Sequence, residues 1–183
     1  MNEMDSLQKN KYRQPLVLWF TGLSGAGKTT LATATLQKLK AQGVPAVLLD
    51  GDILRQGLCQ DLGFSAHDRS ENIRRAAEVC KITRDAGMVT LAAFISPLHS
   101  DRLLAQKIIG AENFREIYVG TALETCISRD VKGLYKKAIA GEIKNFTGIS
   151  SDYEVPRAPF LKIETDQTTV DFCAEKIIAG IYE

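Results

Sequence analysis

Five short apolar runs punctuate the chain at residues 16–20, 46–49, 89–95, 117–119 and 160–163, and amphipathic stretches fill the intervals between them. Runs that are apolar at consecutive positions, rather than at alternate ones, fit strands covered on both faces. Their alternation with helical patterns predicts βαβ units and a mainly parallel sheet between two helical layers. The first helical stretch covers 30–39. The second, 69–86, places Ile73, Ala76, Ala77, Cys80 and Thr83 on one side, turns Arg74, Arg75, Glu78, Lys81 and Arg84 outward, and ends at Gly87. The last, 170–182, repeats the pattern with Val170, Cys173, Ala174, Ile177 and Ile181. No repeat or low-complexity linker divides the 183 residues, so 1–183 reads as a single α/β domain, with a polar stretch at 1–13 expected to fray.

Charge and composition narrow the classes open to such a domain. The 23 basic residues are balanced by 22 acidic ones, so no global field draws the chain to nucleic acid or to an anionic membrane, and any basic site must be local. Glu3 and Asp5 sit in a polar N-terminus, and no apolar run reaches the length of a signal sequence or membrane span. The expectation is a cytoplasmic protein. Cys59, Cys80, Cys126 and Cys173 are widely spaced and lack a C-x-x-C pattern or neighbouring histidine pairs, which favours buried free thiols over zinc or redox chemistry.

The most specific signal follows the first strand. Gly22, Leu23, Ser24, Gly25, Ala26, Gly27, Lys28 and Thr29 form a complete G-x-x-x-x-G-K-[ST] phosphate loop, and Thr30 continues into the helix. In this pattern the glycines turn consecutive N–H groups toward phosphate oxygens, Lys28 neutralises the β- and γ-phosphates, and Thr29 can ligate Mg²⁺. A glycine-rich turn without a ligand has no need of this strand before it and helix after it. The loop alone does not separate a kinase from a GTPase or a motor. No N-K-x-D motif follows a strand: the Asn10-Lys11 pair runs into Tyr12-Arg13, and the match Asp130-x-x-Gly133 does not follow an apolar run. The length leaves no room for the added domains of motor ATPases. A small-molecule kinase is favoured.

At the end of the second strand stand Asp50, Gly51 and Asp52, where the ligand crevice of an open α/β sheet lies. One carboxylate can hold Mg²⁺ through water while the other accepts the proton of an attacking hydroxyl. Asp-Gly-Asp is also good turn chemistry, and the strand-end position tips the reading toward function. Arg55, Arg69, Arg74 and Arg75 follow, enough guanidinium to clamp a dianionic acceptor, although solvated helix charge remains the plain alternative for Arg74 and Arg75. From 132 to 159 the chain turns basic and glycine-punctuated, as a lid that excludes water or as an ordinary surface excursion.

These residues carry a resemblance. Asp50-Gly51-Asp52, Arg55, Gly57-Leu58, Asp61-Leu62-Gly63-Phe64-Ser65, Asp68 through Arg75, Phe94-Ile95-Ser96-Pro97, Lys132 through Ala138 and Phe146-Thr147-Gly148-Ile149 resemble, in order, the motifs of adenylyl-sulfate kinases over roughly residues 16–165. The resemblance implies a three-layer phosphate-loop NTPase-type fold with a mobile lid at 132–159. It also implies transfer of phosphate from MgATP to the 3′-hydroxyl of adenosine 5′-phosphosulfate, and a homodimer. On the same basis Lys28, Asp52, Ser96 and Lys132 act in catalysis. The acceptor is held by Asp50, Asp52, Arg55, Phe64, Arg69, Asn72, Ile95, Ser96, Lys132, Asn145 and Phe146, with Phe64 and Phe146 sandwiching its adenine. Mg²⁺ falls to Thr29, with Asp50 acting through water. In bacterial members the serine equivalent to Ser96 is described as a phosphoserine intermediate. In-line transfer between two bound nucleotides needs no covalent relay, which favours a Ser96 that binds phosphate or sulfate instead. Two departures stand out: Ile53 replaces a frequent Asn, and Leu98-His99 replaces a common Tyr-Arg, with Arg102 following closely. The lost arginine predicts weaker acceptor affinity, and lone His99 carries no argument for catalysis. Lacking a sulfurylase-like extension, the chain reads as a stand-alone kinase. Rival readings are a related kinase for another nucleotide or small alcohol, and a non-catalytic nucleotide-binding subunit that would bind MgATP without transferring phosphate.

Overall fold

The computed structural model describes residues 15–166 and 168–182, with Tyr182 by its backbone alone; the stretch expected to fray lies outside them. Five parallel strands, β1 (Val17–Thr21), β2 (Ala46–Asp50), β3 (Val89–Ala93), β4 (Phe114–Val119) and β5 (Leu161–Ile163), form one sheet in the order β2-β3-β1-β4-β5. Every residue of central β1 is buried, which is why its sequence is uninterruptedly apolar up to Thr21. Leu18 and Phe20 face one helical layer, formed by α1 (Lys28–Ala41) and the C-terminal helix Val170–Tyr182; Val17 and Trp19 face the other, formed by α3 (Ala66–Asp85) and α4 (His99–Ile109). Three shorter helices, α2 (Gly51–Leu54), α5 (Leu123–Arg129) and α6 (Leu134–Ile139), also occur along the chain, so the C-terminal helix is α7.

The predicted elements are recovered within a few residues. Helix α3 begins three residues earlier than its periodicity suggests because the Ser65 hydroxyl accepts the Asp68 N–H at 3.1 Å, capping the first turn. One expected core position moves: Val170, at the start of α7, is 40% exposed. All four cysteines are buried and free. No described helix is long and apolar enough to cross a membrane.

The chain builds β2 and β3 on one side of β1 and then crosses to the other side for β4 and β5, and this switch opens a crevice at the carboxyl ends of the strands. The functional residues collect there.

Candidate active site

A cavity of about 810 Å³ runs along these strand ends, at the upper end of the roughly 300–1,000 Å³ typical of small-molecule sites. One end is the phosphate loop. Gly22 has φ 153°, and a Cβ there would lie 2.5 Å from the Val119 carbonyl oxygen, so close packing on β4 as well as backbone freedom demands glycine. Gly27, at φ 100°, caps α1. The hydroxyls of Thr121 and Thr165, from the ends of β4 and β5, both reach the Ala26 carbonyl at 2.9 Å, and Arg129 donates to Thr165 at 3.0 Å. Within the loop the Ala26 N–H donates to the Leu23 carbonyl at 3.2 Å, which tightens the turn. Ser24, Gly25, Gly27, Lys28, Thr29 and Thr30 line it; Gly22, Leu23 and Ala26 form the scaffold behind.

Lys28 is buried and folds over its own loop to donate to the Leu23 carbonyl at 2.7 Å. Burial lowers its pKa to about 8, against the opposing pull of Cys126 and of the Asp50 and Asp52 carboxylates. Among the described residues the Lys28 ammonium makes no direct ion pair, so a polyphosphate in the loop would give it a contacting counter-charge.

The strand-end carboxylates divide their work. Asp50 is buried, accepting the Thr29 hydroxyl at 2.6 Å and the Asp52 N–H at 2.9 Å. This hydroxyl–carboxylate pair is a hard-oxygen donor set suited to Mg²⁺, which binds few protein oxygens and keeps several waters. Asp52 instead projects from α2 into the cavity, where its carboxylate pairs with the Lys132 ammonium from the far side.

The other end of the cavity holds arginines, aromatics and an amide. Arg69 donates to the Phe64 and Asn145 carbonyls and the Thr147 hydroxyl, and Arg55 donates to the Leu62 and Gly63 carbonyls. Among the described residues neither guanidinium has a carboxylate partner, and burial together with Arg55 pushes the Arg69 pKa down. Two crowded cations without a counter-ion make an anion site. Arg74 and Arg75 differ: they pair with Glu71, Glu78 and Asp61 and do not line the cavity, so the plain reading holds for both. Phe64 is 64% exposed, its ring face covered by Arg55 at 4.5 Å. Phe146 is buried edge-on against Tyr135, with centroids 5.0 Å apart. Asn72 borders the cavity, and among the described residues its buried Oδ1 has no hydrogen-bond partner.

Ile95 and Ser96 line the wall from the end of β3, whereas Asn145 contributes its carbonyl to Arg69 without lining the cavity. Arg102 is not a substitute for the missing acceptor arginine. It is buried beneath the wall, donating to the Ser96, Pro97 and Glu154 carbonyls at 2.7–3.0 Å and pairing with Glu116 at 2.8 Å. Exposed His99 and Ile53 lie outside the cavity. The segment expected to form a lid is docked at several points: Tyr135 donates to the Ser24 carbonyl at 2.9 Å, Thr147 is buried, and Glu154 is fixed to Arg102. Sequence reasoning missed Arg129 and Thr165, and it placed Tyr135 inside the Lys132–Ala138 motif without giving it a role at the site. Thr165 follows β5, so the strand-end rule could have found it; nothing local marked Arg129.

A phosphate loop facing a paired acid and base, across a cavity with a separate anion-and-aromatic end, defines a phosphate-loop kinase. The model of the adenylylsulphate kinase family matches residues 14–164. An adenylyl-sulfate kinase of Marinobacter nauticus is 55% identical over 174 residues, covering 95% of this chain and 87% of the relative. One of Prochlorococcus marinus is 50% identical over 181 residues, covering 99% and 90%. Among solved structures, the Mycobacterium tuberculosis APS kinase in complex with AMPPNP and APS superposes with a TM-score of 0.90 at 43% identity, covering 94% of this chain and all of that one. The chain belongs to the adenylylsulphate kinase family.

Proposed function

We infer that the chain transfers the γ-phosphoryl group of ATP to the 3′-hydroxyl of adenosine 5′-phosphosulfate, giving 3′-phosphoadenosine 5′-phosphosulfate for sulfate assimilation. The observation that carries this reading is one cavity with two unlike ends: a phosphate loop at one, and at the other Arg55 and Arg69, which have no carboxylate partner among the described residues, beside Phe64, Phe146 and Asn72. The junction between them holds Asp52 and Lys132.

The residues then take distinct roles. The loop N–H groups and Lys28 hold the donor phosphates where charge shifts during transfer. Thr29 and Asp50 would hold Mg²⁺, which when bound neutralises charge on the β- and γ-phosphates. Asp52 orients the acceptor hydroxyl and takes its proton as the new bond to phosphorus forms. For that, Lys132 must leave Asp52, and the departing ammonium is placed to meet the transferring group. Arg55 and Arg69 take the phosphosulfate, and the two phenylalanines stack on the adenine. Water exclusion by 132–159 falls to its exposed stretch around 140–145, since the ends are docked. The resemblance extends the reading to a cytoplasmic homodimer, checked by sedimentation.

The deciding experiment is a coupled assay of the purified protein with MgATP, offering adenosine 5′-phosphosulfate, adenosine 5′-phosphate, shikimate or gluconate. Turnover with the first alone is expected. Preference for another acceptor would overturn the reading, and MgATP binding without transfer to any would point to a regulatory subunit.

A further inference from the structure

The chain has a single tryptophan, Trp19, in the centre of β1. It is fully buried, stacked on Phe94 at 5.1 Å and tilted against Phe114 at 5.8 Å. A phenylalanine would satisfy that apolar environment. An indole adds one buried N–H, a donor that needs an acceptor. It finds the Ser96 Oγ, 77 residues away, at 3.1 Å.

Ser96 is itself unusual. It is 2% exposed, has φ 37°, a left-handed conformation that non-glycine residues seldom hold, and lies on the cavity wall. Such a conformation persists only when its surroundings impose it. Here the Ser96 carbonyl is fixed by Arg102 at 2.8 Å and the preceding Ile95 carbonyl by the Thr21 hydroxyl at 2.8 Å. The side chain is therefore aimed by its neighbours. A hydroxyl has one proton and two lone pairs, and the indole occupies a lone pair. Among the described residues nothing accepts the Ser96 proton. It is left for an acceptor atom in the cavity, and accepting the indole N–H makes the hydroxyl a stronger donor.

The same geometry argues against a covalent role. A serine attacking phosphorus needs a base to remove its proton, but the one group on this Oγ is itself a donor. The side of the sheet also matters. Trp19 packs with Phe94 and Ile73 in the layer of α3, the helix that carries Arg69 and Asn72, while the helix that follows the phosphate loop packs on the opposite face. Ser96 thus belongs to the acceptor's wall.

We propose that Trp19 is a positioning residue for the acceptor: its indole N–H orients the Ser96 hydroxyl so that the proton meets an anionic oxygen of the acceptor nucleotide. This rests on the function inferred above. Because Trp19 is the sole tryptophan, growth of a tryptophan auxotroph on β-(3-benzothienyl)alanine replaces that N–H with sulfur at one position and preserves the ring shape. Steady-state kinetics on this protein, Ser96→Ala and their combination are expected to show the acceptor KM raised about tenfold in each, the scale of one hydrogen bond to a charged group. The KM for ATP should stay unchanged and kcat should move less than twofold. The combination should be no worse than either alone, as for two groups acting through one contact. Trp19→Phe provides a genetic version, and the benzothienyl protein stands in should that variant fail to fold. Additive losses, an unchanged acceptor KM, or a loss confined to ATP would overturn the proposal. So would stoichiometric phosphate on Ser96 after incubation with ATP alone that chases into product. A wild-type protein inert toward adenosine 5′-phosphosulfate would overturn the function itself, and this inference with it.

Discussion

The two ends of the cavity are built by opposite means. The donor end is mostly backbone: a loop held from behind by Thr121 and Thr165, with buried Lys28 as its charged side chain. The acceptor end and the junction are mostly side chains. Asp52, Phe64 and Lys132 are each more than half exposed, and they rest on one another or on Arg55. A backbone cradle keeps its geometry before the ligand comes, so its contribution to transfer requires no rearrangement. A wall of paired side chains must exchange those partners for ligand, which makes it the part where specificity is adjusted and where variants separate binding from chemistry.

The comparison can be broken most decisively at Lys28. Lys28→Ala should reduce transfer by about 10³-fold or more, the scale of losing fixed charge at a transferring phosphoryl, while thermal unfolding remains cooperative. Near-normal turnover would mean the donor end is misassigned. Next comes the junction: Asp52→Asn should lower kcat by about 10²-fold, as for loss of a general base, with little change in acceptor KM. If KM carried the loss, Asp52 would be a binding group and not a base. The aromatic end should yield a smaller and different effect. Phe64→Ala should raise acceptor KM about 5- to 150-fold, a stacking loss of about 1–3 kcal/mol, leaving the melting temperature and the KM for ATP in place. Phe146→Ala should show the same KM defect together with lost stability, because that ring is also core; a rise in the KM for ATP in either variant would put the clamp on the other nucleotide.

The smallest effect concerns protons. Lys28 titrates near 8 in the folded protein, whereas an ordinary lysine holds its proton to 10.5. Between these values the unfolded chain binds more protons, so this residue makes stability rise with pH across that window. Bound polyphosphate restores the ammonium. Nucleotide binding at about pH 9 should therefore take up a proton, at most about one, measured by calorimetry in buffers of different ionisation enthalpy. The uptake should vanish in Lys28→Met.

The same contrast explains what the sequence revealed. Strands buried on both faces leave continuous apolar runs, so four of the five were legible to within two residues and the fifth, β4, for its second half. The phosphate loop was legible because its function is contained in eight consecutive residues. Helix α4 was not, since its pattern is inverted: Asp101 and Arg102 are buried while Leu103 and Leu104 are exposed. Helices α5 and α6 are too short for periodicity to register. Most of the acceptor end came through the motif resemblance, yet its order came only from the structure, which separates Arg55 and Arg69 from Arg74 and Arg75 by their partners. Arg102 near Ser96 suggested a ligand contact, whereas burial made it a brace. Trp19 read as one more strand residue.

The brace formed by Arg102 has a consequence for how the protein is made. Arg102 ties Ser96 and Pro97 to Glu154, and Tyr153 meets Thr21 at 2.9 Å, so contacts from late in the chain complete a wall whose strand was finished some sixty residues earlier. The phosphate loop likewise waits for Thr165, 139 residues beyond the Ala26 carbonyl it restrains. During synthesis, the segment carrying every residue of the loop motif leaves the ribosome early, without the contacts that shape either end of the cavity. Competence then arrives late and for both ends within a dozen residues, which keeps a partly made chain from binding nucleotide as the finished one does.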